Sequence, residues 1–243
     1  MAPEFEYLRS RGLNPEQLKA FAAYYDLLTQ WNEKVNLTAI TGAREIEIKH
    51  FVDSLILDEY PAWRRGFEDI GSGGGLRVVD VGSGAGFPGI PLKILRDNIS
   101  LVILEASSKR VAFLEALIRE LALTETEVFH LRAEQAGRMT GYRAGFDWAL
   151  VRGVASVPVL LEYCLPFLKV GGRLAVYKGP RGLDEAAGGR RAEAVLGGKL
   201  VDIMENALPG GQGERRILIY KKVKSTPAKY PRGPGAPSKQ PLV

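Results

Sequence analysis

The stretch VVDVGSGAGFPGIP, from Val78 to Pro91, gathers residues whose types and spacing could do chemistry. A mostly apolar run reaches Asp80, and glycines follow at Gly82, Gly84 and Gly86 in a G-x-G-x-G pattern. Gly84, Gly86 and Gly89 equally satisfy G-x-G-x-x-G, the dinucleotide fingerprint. Glycine serves both motifs because backbone without side chains turns tightly and lets a ligand lie against it. Charge separates the two readings. A dinucleotide brings a pyrophosphate to this turn, and the carboxylate of Asp80 repels it. S-adenosylmethionine brings a sulfonium and an ammonium and no phosphate, and Asp80 favours both. Glu105, the acid ending the next apolar run, suits ribose hydroxyls in either case. A third reading has Asp80 capping the following helix while the glycines only turn the chain, but a bare turn rarely needs so many.

Other reactive residues are few. Cys164 is the one cysteine and lies in the apolar VLLEYCLPFL, where a free thiol behaves as a small hydrophobe. That argues against pyrimidine C5 methylation, which needs a thiolate. Amine methylation generally leaves an Asn/Asp-Pro-Pro-aromatic signature after the fourth strand, where this chain reads ALVRGVAS. A guanine N7 has a free lone pair and no proton to lose, so alignment and desolvation can supply most of the acceleration there. His130 falls within a strand and reads as a packing or hydrogen-bonding residue. His50 and Asp53 stand three apart, close neighbours on a helix, where a structural cap is the plainer reading.

The elements that must position these residues are of two kinds. Residues 14 to 60 read as helical, with Asn14 as N-cap and Pro15 at the first helical position. Leu18, Phe21, Ala22, Tyr25 and Leu28 share one face. After NLTAITG, a second helix sets Ile48, Phe51, Val52, Leu55 and Ile56 on one face, and GFEDIGSGGG reads as a flexible joint. From Leu76 the pattern alternates between strands (LRVVDV, SLVILEA, EVFHLRA, DWALVRG, RLAVYKG) and helices, the clearest being SSKRVAFLEALIREL. Apolar strands alternating with helices predict a doubly wound α/β fold with a mostly parallel sheet. KLVDIMENAL and RRILIYKKV, parted by a short glycine-rich turn, predict an antiparallel terminal hairpin and bring the sheet to seven strands. The organisation expected is an N-terminal helical arm over 1–70, a sheet domain over 71–223, and a basic Pro-rich tail over 224–243 that is extended and largely unfolded.

Composition sets outer limits. With 243 residues, 46% apolar and 25% charged, the chain reads as an ordinary globular protein. No stretch nears the roughly 20 apolar residues that span a bilayer. A lone cysteine allows no internal disulfide or cysteine-rich metal site, and the N-terminus lacks a signal-peptide layout, so cytoplasmic residence is expected. Residues 221–243 hold six cations and no acid against a chain total of +5, which leaves the rest at −1. Such a segment either binds phosphates without sequence preference or simply aids solubility.

The motifs LTQWNEKVNLTAI, HFVDSL, DVGSGAGFPGIPLKI, LEASSKRVAFL, LRAEQ and VRGVAS occur in that order. Together they closely resemble the glucose-inhibited division protein B family of 16S rRNA guanine-N7 methyltransferases, over roughly residues 18 to 222. The resemblance implies a Rossmann-like class I methyltransferase sheet, S-adenosyl-L-methionine as cofactor, no metal, and a monomer acting on 16S rRNA within the 30S subunit, the family target being guanine 527 near the decoding region. It implies that Gly82 and Phe87 touch the cofactor and that Glu105, with Ala106 and Ser107, holds the ribose. By the same resemblance Ala133 and Glu134 close over the adenine, and Arg152 stands where ligand and target meet. His50, Asp53, Asn36 and Lys178 look like positions around the RNA-facing mouth. The family's usual alanine is replaced here by Gly153, and the tail beyond Lys224 has no recognised counterpart. A nicotinamide-dependent oxidoreductase and a non-catalytic ribosome-binding factor are the alternative readings.

Overall fold

The computed structural model describes residues 4–68, 75–153 and 155–243. The expected joint GFEDIGSGGG lies partly outside the described residues. The helices α1 (Glu6–Ser10) and α2 (Pro15–Val35) open the chain, and α3 (Ala43–Ile46) runs on through a π-helical stretch over Glu47–Val52 into α4 (Asp53–Leu55) and a 3₁₀ turn over Ile56–Glu59. Then follow α5 (Pro61–Glu68), β1 (Leu76–Val81), α6 (Gly89–Leu95), β2 (Ile99–Glu105), α7 (Ser108–Glu120), β3 (Thr126–His130), α8 (Ala133–Ala136) and β4 (Phe146–Arg152). The rest is α9 (Val157–Cys164), β5 (Leu168–Lys178), α10 (Gly182–Ala187), α11 (Arg190–Leu196), β6 (Gly198–Ala207), β7 (Glu214–Lys222) and α12 (Ala236–Lys239).

The α2 start follows its local chemistry. Asn14 accepts from the Gln17 amide at 2.8 Å, and the Gln17 side chain returns the bond to the Asn14 amide at 3.0 Å. The expected second helix is not uniform. Its π-helical stretch inserts a wider turn where Lys49 and His50 lie, a feature that apolar spacing cannot register.

The seven strands are ordered β3-β2-β1-β4-β5-β7-β6. The first five in that row run parallel, and β7 slots antiparallel between β5 and β6. The order reverses at β1 and β4, whose carboxyl ends therefore flank a crevice. Alternation along each strand divides the core. Val78, Leu101, Ile103, Leu150, Tyr177 and Ile219 face one side, with α2, α6 and α7. Val79, Val102, Leu104, Val151, Val176 and Tyr220 face the other, with α9 and α11. A sheet covered on both faces leaves the strand ends as its accessible edge.

The N-terminal helices share the first core. Phe51 is fully buried and its ring meets those of Phe5, Phe21, Tyr24 and Phe87 at 5.0–6.0 Å. Trp31 packs edge-on against Phe113, as a core seam does.

Residues 224–243 depart from the expected unfolded arm. Tyr230, Pro231, Pro237 and Leu242 are buried, and α12 packs beside α9. Prolines deny this segment regular pairing but leave its carbonyls free as acceptors, and arginines of the body use them. Arg143 donates to the carbonyls of Thr226 and Tyr230, and Arg138 donates to that of Pro231. Two of the six basic residues are committed internally: Lys222 is buried on the carbonyls of Leu165 and Leu196, and Arg232 pairs with Glu162.

Replacing Phe51 by alanine is expected to cost about 3–5 kcal/mol. Because the helices and the sheet share that core, urea unfolding should stay a single transition, lowered as a whole. Two separated transitions would show the helices to be an independent unit.

Candidate functional site

Three glycines at the end of β1 take positive φ: Gly82 at 69°, Gly84 at 64° and Gly86 at 98°. A Cβ built on Gly84 meets nothing within 4 Å among the described residues, so that backbone faces open space. Beneath it, Asp80 is wholly buried; its Oδ2 accepts from the Ser83 hydroxyl and the Gly89 amide, both at 2.8 Å. Gly89 begins α6, so Asp80 does cap the following helix. The carboxylate is thus not the freely presented anion that the charge argument pictures, since one oxygen is spent on the turn. Its Oδ1, also buried, has no hydrogen-bond partner among the described residues. Burial pushes the Asp80 carboxyl up to about 6, against the pull of its two hydrogen bonds and of Arg152.

Glu105 ends β2 with both oxygens engaged, Oε2 accepting from the Gly84 amide at 3.0 Å and Oε1 from the Ser107 amide at 2.9 Å. His130 bonds the carbonyl of Ala106 at 3.0 Å, as a hydrogen-bonding residue should. The Phe87 ring is buried and stacked between Tyr24 at 5.3 Å and His50 at 4.6 Å. Its side chain therefore docks the N-terminal helices onto the turn. Ala133 and Glu134 open α8, both buried, and Glu134 accepts from the Gly235 amide at 2.9 Å.

Beside the turn lies a cavity of about 300 Å³ whose lining includes Lys49, His50, Asp53, Arg152, Lys178 and Arg215. Asp53 organises it. Its Oδ2 accepts from Arg152 and its Oδ1 from Arg215, each at 3.0 Å, with only 2% of its side chain exposed. The Arg152 guanidinium also lies over the Phe87 ring at 4.8 Å. Lys178 is held by Glu185 at 2.7 Å and by the Ala155 carbonyl. Burial, then the charge of Arg152, lowers His50 to about 3, so its imidazole is neutral near pH 7. A neutral ring accepts at Nδ1 from Arg152 and donates from Nε2 to the Thr38 hydroxyl, 2.8 Å away. The walls therefore carry four cations against one buried acid.

Asn36 is an exposed left-handed C-cap of α2 and does not line this cavity. Gly153 takes φ 74°, a left-handed conformation that suits glycine better than an alanine. Cys164 is fully buried and its thiol is pushed up by desolvation, which leaves no thiolate. Among the described residues no group of His, Cys, Asp or Glu could hold a metal ion. Arg215, Lys49 and Thr38 were not anticipated. Arg215 sits beside a second arginine at the start of β7, and only the insertion of that strand beside β5 brings one of the pair to Asp53.

A doubly wound sheet with its last strand reversed between two others, and a glycine turn closing the first, defines a Rossmann-like class I methyltransferase fold. The same fold is found at 14% identity and a TM-score of 0.52 in a crystal structure of the 16S rRNA (adenine(1408)-N(1))-methyltransferase from Catenulisporales acidiphilia, covering 68% of this chain and 92% of that one. The family described as rRNA small subunit methyltransferase G matches residues 17–77 and 76–209. The ribosomal RNA small subunit methyltransferase G of Lactobacillus johnsonii is 45% identical over 231 residues, 95% of this chain and 93% of the relative. That of Geobacillus kaustophilus is 43% identical over 237 residues, 97% of this chain and 96% of the relative. This chain belongs to the rRNA small subunit methyltransferase G family. An alignment reaching 97% of the chain leaves out only a few residues, so the C-terminal segment, for which no counterpart was recognised, has relatives there after all.

Asp80 yields a pH prediction. Its folded value of about 6 stands above the ordinary 3.8, so the protonated form is the one folding favours. That contribution is full below pH 3.8 and is lost as pH rises through about 6. Relative to Asp80→Asn, the parent should lose stability across that window in urea titrations. Parallel curves for the two proteins would show the carboxyl to be unshifted.

Proposed function

We propose that this chain transfers the methyl group of S-adenosyl-L-methionine to N7 of a guanine in 16S rRNA, the family target being guanine 527. The observation that carries this reading is the crevice at the carboxyl ends of β1 and β4. There an open glycine turn stands next to a cation-walled cavity, joined to it by the stack of Phe87 on His50.

Gly82 and Gly84 would hold the amino-acid end of the cofactor, with Asp80 beneath favouring its cationic groups. The carboxylate of Glu105 suits the ribose hydroxyls, exchanging the Gly84 amide for them, while Ala106 and Ser107 border the sugar. Ala133 and Glu134 border the adenine. When bound, the cofactor supplies an electrophilic methyl on a sulfonium. Transfer to a ring nitrogen with a free lone pair would release no proton, so it would ask no residue of this chain to act as a base. Neutral His50 and the absence of a thiolate fit a reaction that needs neither base nor covalent intermediate.

The remaining task is placement. Arg152, Lys178, Lys49 and Arg215 supply charge for the phosphates of the target strand and for the O6 edge of the guanine. Asp53 fixes two of these guanidinium groups in advance, so their orientation is not lost when RNA arrives. Acidic Asp53 and Asp80 also temper the cationic product ring.

The test is methyl-labelled cofactor with small subunits from cells lacking the protein. Label in 16S rRNA, with chain scission at the modified guanine by borohydride and aniline, is expected. Gly84→Val should abolish cofactor binding in calorimetry, because the branched side chain fills the open space and strains a left-handed φ. Arg152→Ala should slow transfer by about a hundredfold, the order found when one positioned hydrogen-bond donor is removed from a site. Label on a base that resists this scission would overturn the N7 assignment.

A further inference from the structure

The C-terminal segment is fastened to α8, the short helix carrying Ala133 and Glu134, by three separate devices. Gly235 donates its amide to Glu134 Oε1 at 2.9 Å. Arg138, just past α8, donates to the Pro231 carbonyl at 2.8 Å. Arg143 donates from one nitrogen to the carbonyls of both Gly137, at 3.0 Å, and Tyr230, at 2.8 Å. The Pro231 ring closes the contact so tightly that a Cβ on Gly137 would meet it at 3.1 Å.

The segment is in turn anchored on α9 by one ion pair. Glu162 has 1% of its side chain exposed, and Arg232 donates to its two oxygens from the backbone amide, Nε and Nη2 at 2.6–3.1 Å. A carboxylate this deep is costly unless paired, so the pair commits the segment to one register on the body. Nothing in methyl transfer itself uses Glu162 or Arg232.

We propose that residues 224–243 form a strap that sets the loop around the adenine of the cofactor, with Arg232 as its positioning residue through Glu162. The inference rests on the reading that Ala133 and Glu134 border the adenine. The strap holds Glu134 from outside, and the Arg232–Glu162 pair holds the strap. Losing the pair frees the Glu134 carboxylate and the α8 backbone, so the cost falls on recognition of the base and not of the sugar or the amino acid.

The experiment measures binding of S-adenosylhomocysteine and of S-ribosylhomocysteine, which lacks the adenine, to the full chain by calorimetry. Arg232→Ala should raise the Kd for S-adenosylhomocysteine about tenfold, the loss of roughly one good contact, and leave that for S-ribosylhomocysteine unchanged. Arg232→Ala leaves a buried carboxylate unpaired and could unfold the chain. Arg138→Ala, at an exposed side chain, therefore serves as second variant, with a smaller rise of the same selectivity. Parent-like binding of S-adenosylhomocysteine by both folded variants would overturn the proposal, as would equal weakening of the two ligands. If the unmodified chain binds neither ligand, the cofactor reading itself fails and takes the strap proposal with it.

Discussion

A buried carboxylate at the end of the first strand governs the shape of this molecule's reactive edge. Asp80 Oδ2 draws the Ser83 hydroxyl and the Gly89 amide to itself, which folds the intervening backbone into a tight loop. The same contact dictates a glycine at position 89, since a Cβ there would lie 2.7 Å from that oxygen. With the loop so folded, the Gly84 backbone is turned to open space and the Phe87 ring is turned inward.

The inward ring couples the two halves of the core. Phe87 stacks on Tyr24 from α2 and on His50 from the π-helical stretch, and Arg152 from β4 lies over it. Residues from three regions distant in sequence thus meet around one aromatic ring, and Asp53 ties Arg152 to Arg215 from the penultimate strand of the sheet row. Neutral His50 fits this arrangement, because a third positive charge beside two guanidinium groups that already share the Asp53 carboxylate would be poorly compensated. The N-terminal helices are therefore part of the cavity wall, since without them Asp53, His50 and Lys49 would have no place in it.

Charge on the remainder of the surface is allotted differently from its distribution along the chain. The C-terminal segment concentrates cations, yet Lys222 and Arg232 are turned inward while Lys221, Lys224, Lys229 and Lys239 stay exposed. These two inward-turned cations fix the segment and the exposed lysines remain available to solvent or to a polyanion. Burial lowers Lys222 to about 7, since its partners are carbonyls and a hydroxyl with no carboxylate among them.

Much of the architecture was legible in the residues because strand and helix periods are local. β1 spans the apolar run read as the first strand, the other strands shift by only a few positions, and the Asn14 capping box is written in four consecutive residues. The glycine turn was legible for the same reason, as was the inertness of Cys164. The tertiary structure alone decided what depends on contacts between distant segments. It made Asp80 a cap and not an exposed anion, paired Arg152 with Asp53 ninety-nine residues away, and brought Arg215 to the cavity by inserting β7 between β5 and β6. It also folded a proline-rich tail that composition marks as unfolded, because the arginines and the buried Glu162 that hold it lie elsewhere in the chain. Periodicity and turn chemistry act between neighbours in sequence, whereas ion pairs and burial act between neighbours in space.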